Sequence, residues 1–294
     1  KNIRQKEMIF AKTLPKATVM NKANWVHRGP YNVGGRTRAL AMDVQDENIL
    51  FAGGASGGMF RSTDGGLSWD MTTDPNQLHN VTCVSQDKRI GKENIWYFGS
   101  GELTGSSASA VGAYYGGNGI YKSVDGGLSW DSLSFTATNT NAANDFDFIW
   151  NLKTDSSNDS LDVVYAAIWN SIYRSEDGGA NWVRQLGGPT NDSYYTNLEI
   201  TSNGVVYATL SSDGVDNKGI WRSIDGQNWI SITDSLFPPV YGRIAIGVNP
   251  SNENEVYFLA AETENYGQHT DVFFNGETWT SLWKYDASDS SWID

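Results

Sequence analysis

The octets Ser62–Trp69 (STDGGLSW), Ser123–Trp130 (SVDGGLSW) and Ser175–Trp182 (SEDGGANW) are three copies of one pattern. A fourth, Ser223–Trp229 (SIDGQNW), lacks one residue between glycine and tryptophan. A degenerate fifth ends at Trp292, with Tyr285 in the serine's place. Successive serines stand 61, 52 and 48 residues apart. Such a period means one supersecondary unit repeated and stacked, because a unit of this size cannot bury its apolar face alone. Within the octet each residue type has a mechanical use. Serine and aspartate accept hydrogen bonds from turn amides, glycine takes positive φ, and tryptophan buries its ring against the turn and the neighbouring unit. An element present in every unit serves the unit, so the structural set is Ser62, Asp64, Trp69, Ser123, Asp125, Trp130, Ser175, Asp177, Trp182, Ser223, Asp225 and Trp229.

Around each octet four alternating segments recur, such as RTRALAMD, NILFAGG, GMFRST and LSWDMTT in the first unit. Period-two alternation, with twelve Trp and thirty-one Gly, predicts short strands and tight turns. Four-stranded antiparallel sheets repeated radially make an all-β propeller, of which five blades are visible. The expected blades cover residues 35–75, 80–135, 147–186, 195–233 and 242–294, within a propeller of residues 24–294 that follows a basic arm at 1–23. Ala23-Asn24-Trp25-Val26 repeats Ala180-Asn181-Trp182-Val183, which opens an outermost strand, whereas the fifth blade already has its own in Ser291–Asp294. The expectation is therefore a ring completed by sequence beyond residue 294, since closure removes exposed edges.

A formal charge of −13 lacks the concentrated basic surface that nucleic acid requires. No segment is apolar for long enough to span a bilayer. The single cysteine, Cys83, excludes an internal disulfide and sits in an alternating strand pattern as a small buried thiol. His27, His79 and His269 show no ligand spacing. No cofactor is expected; calcium at the acidic turns Asp155–Asp162 or Asp213–Asn217 is the alternative to plain solvated turns.

The octets resemble the Asp-box, or BNR, repeat of a propeller family that includes sialidases, family 74 xyloglucanases and sortilin-type ectodomains. The stretch Trp25–Trp69 is similar to the opening of secreted propeller proteins of Bacteroidota, which implies a secreted or outer-surface location and export through the type IX secretion system. The resemblance also implies where catalysis would fail. The xyloglucanase segment of type RTDxGGxYR aligns with Phe51–Arg61 through Gly57, Gly58 and Arg61, and places Ala55 where the catalytic aspartate belongs. The sialidase Arg-Ile-Pro signature is missing. Glycoside hydrolysis normally needs two carboxylates flanking the bond, and Glu102 is the nominee for a displaced acid.

If each blade runs from inner to outer strand, every long connection emerges on one face. The two longest are Gly101–Gly119 and Glu262–Thr280. That face carries Tyr114, Tyr115, Tyr194, Tyr195, Phe237, Tyr241, Tyr266, Phe273 and Phe274, rings that either meet a ligand or pack the loops down. Arg36 and Arg243 follow glycines at the start of innermost strands, beside Arg38, and either hold an anionic group or pair with acids such as Glu102. Arg61, Lys122, Arg174, Arg222 and Lys284 recur at one position before the octet, a structural stripe. The reading is a non-catalytic propeller that binds a glycan or a protein through its long-loop face, with Arg36, Arg38, Glu102, Tyr114, Tyr115, Tyr194, Tyr195, Tyr241 and Arg243 as candidate binding residues. The alternative is a divergent glycoside hydrolase.

Overall fold

Alternating segments joined by tight turns pair with their neighbours in sequence, and the chain accordingly builds five four-stranded antiparallel sheets one after another. The computed structural model describes residues 36–77, 80–107, 110–137, 145–188, 193–214, 217–263, 267–271 and 276–294, with side chains for all but 103–107, 110–114, 268–271 and 276–278. The basic arm, Trp25, His27, His79, Tyr266, Phe273 and Phe274 lie outside the described residues.

The first sheet runs β1 (Thr37–Met42), β2 (Leu50–Gly54), β3 (Gly58–Ser62), β4 (Asp70–Met71). The second is built from β5 (Val81–Gln86), β6 (Trp96–Ser100), β9 (Ile120–Ser123) and β10 (Asp131–Ser132). The long segment inside it folds as a ribbon of its own, β7 (Glu102–Ser107) against β8 (Ala110–Tyr115). The third sheet is β11 (Ile149–Thr154), β12 (Val164–Ile168), β13 (Ser171–Ser175) and β14 (Val183–Gly187). The fourth is β15 (Thr196–Ile200), β16 (Val206–Leu210), β17 (Gly219–Ser223) and β18 (Ile230–Ser231). In the fifth, β19 (Ile244–Val248), β20 (Glu255–Ala261), β22 (Gly276–Asp286) and β23 (Ser291–Ile293) form the blade. Its long segment supplies β21 (Gln268–Asp271), which pairs with the first part of β22. Among the described residues, one of the two longest connections thus carries a separate ribbon and the other extends the fifth sheet.

The innermost strands β1, β5, β11, β15 and β19 adjoin in that order, the radial arrangement of a β-propeller. The apolar cores lie between consecutive blades. Phe51, Met59, Trp96 and Phe98 fill the first junction, and Ile149, Leu152, Val164 and Trp182 belong to the second. Cys83 is buried, which pushes its thiol up to about 11. The terminal blades each leave apolar side chains in solvent, Leu40 and Met42 on the first and Leu259 and Leu282 on the fifth.

The octets close the turns between third and fourth strands. In the first, Gly66 N–H donates to Ser62 Oγ at 2.9 Å, Ser62 Oγ donates to Asp64 Oδ1 at 2.8 Å, and Asp64 accepts from Ser68 N–H and Oγ–H. The second and third turns repeat this pattern, with Asn181 supplying the side-chain donor in the third. Both glycines of each full octet have positive φ, 72° and 78° in Gly126 and Gly127, which a Cβ would strain. In the shortened fourth octet a single glycine serves, and Gly226 N–H reaches Ser223 Oγ. The tryptophans differ. Trp130 and Trp182 are buried, Trp229 is half-buried, and Trp69, in the first of the described blades, is 38% exposed.

Ser123 is buried and holds a buried amide, so Ser123→Ala is expected to cost about 1–2 kcal/mol in urea unfolding. Asp125→Ala, at an exposed position, is expected to cost less. Hydrogen bonds, first from the Ser68 hydroxyl, hold Asp64 down to about 2. At Asp125 burial pushes the pKa up, but bonds from Ser123 and Ser129 outweigh it and leave it at about 2. Because these folded-state values lie below the ordinary carboxylate value, their stabilisation is full above about pH 4 and is lost as pH falls toward about 2. A melting temperature that is flat between about pH 5 and 7 and drops below about pH 4, less steeply in Asp125→Asn, is the expected result.

Candidate functional site

Three innermost strands share one irregularity at the end where the long connections emerge. Register shifts in β1, β5 and β11 make Arg38, Thr82 and Trp150 the extra residue of a bulge. A bulge re-aims the side chain it carries, and Arg38, Thr82 and Trp150 all line a cavity of about 430 Å³ at the mouth of the channel. Asn151, Lys153, Asn197 and Arg243 line it as well.

Glu102 opens the ribbon strand β7 opposite Tyr115 and is buried at the rim. Arg36 donates to both of its carboxylate oxygens, and Arg38 stands 3.4 Å from Oε1. Glu102 is thus occupied by two guanidinium groups. Arg38 Nε is buried and has no hydrogen-bond partner among the described residues.

Arg243 precedes β19, and its guanidinium carbon sits 5.8 Å from the centre of the Trp150 ring. Among the described residues it forms no ion pair. Burial first, and then the charge of Arg38, push its pKa below the ordinary arginine value. Trp150 Nε1–H donates to the Tyr194 carbonyl at 2.9 Å. Its ring lies 5.2 Å from Tyr195, which in turn lies 6.3 Å from Tyr194. Tyr194 is 48% exposed, so an aromatic line runs from solvent to the arginine at the channel. Tyr115, also exposed, stands across the ribbon from Glu102.

Arg36, Arg38, Glu102, Tyr115, Tyr194, Tyr195 and Arg243 therefore belong to this end of the channel, whereas the side chain of Tyr114 lies outside the described ones. Tyr241 does not reach the rim as a free ring. It is buried with Phe237 in the core between the fourth and fifth blades, the two rings 5.3 Å apart in an edge contact. Filling the gap beneath their link removes two large rings from water, which outweighs leaving them for a ligand. Trp150, Asn151, Lys153 and Asn197 were not singled out from the sequence. Polar Asn151 and Lys153, alternating with apolar Trp150 and Leu152 in an innermost strand, were the available signal.

The acidic side chains of these turns already have protein partners. Asp155 accepts from the amide and hydroxyl of Ser157, Asp162 pairs with Arg89 and Lys92, and Asp213 accepts from Ser211. Among the described residues no group of three ligating side chains is placed to hold a metal. Ala55, at the position the xyloglucanase resemblance assigns to an aspartate, is buried with its amide donating to the Arg36 carbonyl.

No family model matches the chain. It is 27% identical to a xyloglucanase of Paenibacillus sp. over 97% of this chain and 31% of that protein. It is 24% identical to a xyloglucanase of Acetivibrio thermocellus over 81% of this chain and 32% of that one. The chain thus spans about a third of the length of these curated relatives. Among solved structures, an ancestral GH74 enzyme superposes with a TM-score of 0.61 at 19% identity, covering 88% of this chain and 31% of the other. The GH74 enzyme of Niastella koreensis gives 0.58 at 21% identity over 87% and 38%, and YCF48 bound to D1 peptide gives 0.52 at 14% over 88% and 68%. At these identities the structural likeness carries the fold alone, and that fold is the β-propeller.

Glu102→Gln would leave Arg36 and Arg38 without their counter-charge next to a buried amide. A loss of about 1–3 kcal/mol in chemical unfolding is expected, with Arg36→Gln costing less because Arg36 is partly exposed.

Proposed function

We propose that this chain is a secreted or outer-surface propeller that binds a glycan at the long-loop end of its channel, without catalysis. One observation carries the reading. Arg243 lies stacked on Trp150 beside a cavity, with no carboxylate paired to it among the described residues, in a molecule whose formal charge is −13. A half-buried guanidinium over an indole face suits a sugar ring that carries an anionic group. Trp150, Tyr195 and Tyr194 would stack sugar faces, while Arg243 and Arg38 would take the charge. The xyloglucanases among its relatives favour a carbohydrate over other ligands.

Those same relatives favour a second reading, a divergent glycoside hydrolase. Glu102 is the one nominated acid, and both of its carboxylate oxygens are engaged by arginines.

Titration against soluble acidic and neutral polysaccharides separates the readings. Binding of a uronate-containing polysaccharide is expected to weaken at least about tenfold in Arg243→Gln, close to 1.4 kcal/mol, and to weaken further with added salt. Preference for neutral glucans, unchanged by Arg243→Gln, would overturn the anionic reading. Release of reducing sugar from xyloglucan, abolished in Glu102→Gln, would establish the hydrolase instead.

A further inference from the structure

Arg243 and the indole it stacks on come from blades that are not neighbours. Trp150 belongs to β11 of the third blade, Arg243 precedes β19 of the fifth, and β15 of the fourth blade runs between those strands. A guanidinium–indole contact is weak and cannot by itself fix the spacing of three strands. Asparagine side chains join β15 to both of its neighbours. Asn151 follows Trp150, and its Nδ2–H donates to Asn197 Oδ1 at 2.8 Å and to the Leu198 carbonyl at 2.9 Å. Asn197 Nδ2–H donates in turn to the carbonyl of Ile244, the residue after Arg243, at 3.2 Å. Each Oδ1 also accepts the amide of the following residue, Leu152 or Leu198, which fixes the orientation of the side-chain amide and leaves its NH2 to reach the next blade.

These two asparagines break the repeat. At the same place in the strand register the other blades carry Ala39, Cys83 and Ala245. Side-chain amides at this place are therefore confined to the two strands that lead from Trp150 to Arg243. Asn197 is buried, yet its partners do not depend on it alone. The Ile244 carbonyl also accepts from the Thr209 hydroxyl at 3.3 Å, and Asn151 keeps its bond to the Leu198 carbonyl. Thr209 faces Asn197 across β15 and β16; of the two, Asn197 is the one bonded onward to Asn151. We infer that Asn197 is the positioning residue of the anion site, holding Arg243 over Trp150 through the bridge Asn151–Asn197–Ile244. This rests on the reading of Arg243 as the group that receives an anionic sugar.

Arg243 needs such a restraint. The like charge of Arg38 pushes against it, so its place over the ring has to be held from the backbone side. A site that recognises one charged group works only while its parts stay within a fraction of an ångström of their places, and supporting hydrogen bonds supply that precision. The fold itself has other supports. Two residues further along the same strands, Lys153 Nζ meets Glu199 at 2.7 Å, a second rung between β11 and β15. Removing the Asn197 amide leaves that rung and the ladders of each blade in place, so the site should shift while the propeller stays folded.

The test uses protein isotopically labelled at the arginine nitrogens, in which the Nε–H resonance of Arg243 is assigned by its loss in Arg243→Gln. The ring current of Trp150 should displace that resonance, and Trp150→Leu should return it toward the position of a free arginine side chain. Asn197→Ala should move it the same way, as should Asn151→Ala, which cuts the bridge from its other end. Thr209→Val removes the second donor to Ile244 but leaves the bridge, and should not move it. Binding of polygalacturonate should weaken at least about fivefold in Asn197→Ala, and Arg243→Gln should then cost less than it does in the wild type. An unmoved resonance in folded Asn197→Ala would overturn the inference. So would an equal movement in Thr209→Val, or binding losses that simply add. If Asn197→Ala does not fold, Asn151→Ala decides by the same criterion. A wild-type protein that fails to bind polygalacturonate would refute the anionic-glycan reading, and the resonance would then decide the positioning by itself.

Discussion

The structure depends on a turn that satisfies its own backbone. Two glycines in left-handed geometry leave amides pointing inward, and the serine and aspartate of the octet accept their hydrogen bonds. The turn is then rigid enough to offer a glycine carbonyl to the blade before it, where an arginine or lysine stacked on an aromatic ring takes it. Local satisfaction and blade-to-blade attachment are parts of one device. Its repetition explains why the apolar cores lie between sheets rather than within any one of them.

With the octet turns holding one end of the propeller, the other end is free to vary. The bulges in three innermost strands, the ribbon β7–β8 and the segment that carries β21 are all departures from the repeat. Three of the departures converge on the channel mouth, where Arg38, Trp150 and Glu102 meet Arg243. Repeated positions keep the scaffold together, and the positions that break the repeat carry the chemistry. The charge follows the same division. The molecule is acidic as a whole, yet its channel mouth holds three arginines and one paired glutamate.

How much of this was legible depends on the range of the interactions. The all-β class, the four-strand blade and the turn chemistry follow from the octet and from period-two alternation, which act within one repeat. The pairing of Arg36 with Glu102 was one of two readings available, because both residues belong to the same end of the blades. The fate of Tyr241 was not readable. A tyrosine in a long link looks the same whether it faces a ligand or fills a junction between blades, and only packing against Phe237 and Trp283 decides.

By itself, then, the amino-acid order determined what depends on neighbours in sequence: strands, turns, and the recurring ring and cation across them. Tertiary structure alone decided what depends on contacts between blades. It placed Trp150 under Arg243 and left Tyr257, across the fifth sheet from Lys284, 37% exposed. The physical reason is that identical local patterns acquire different burial according to what packs against them. A cross-strand pair is specified within some thirty residues of chain, but its exposure is set by the next blade.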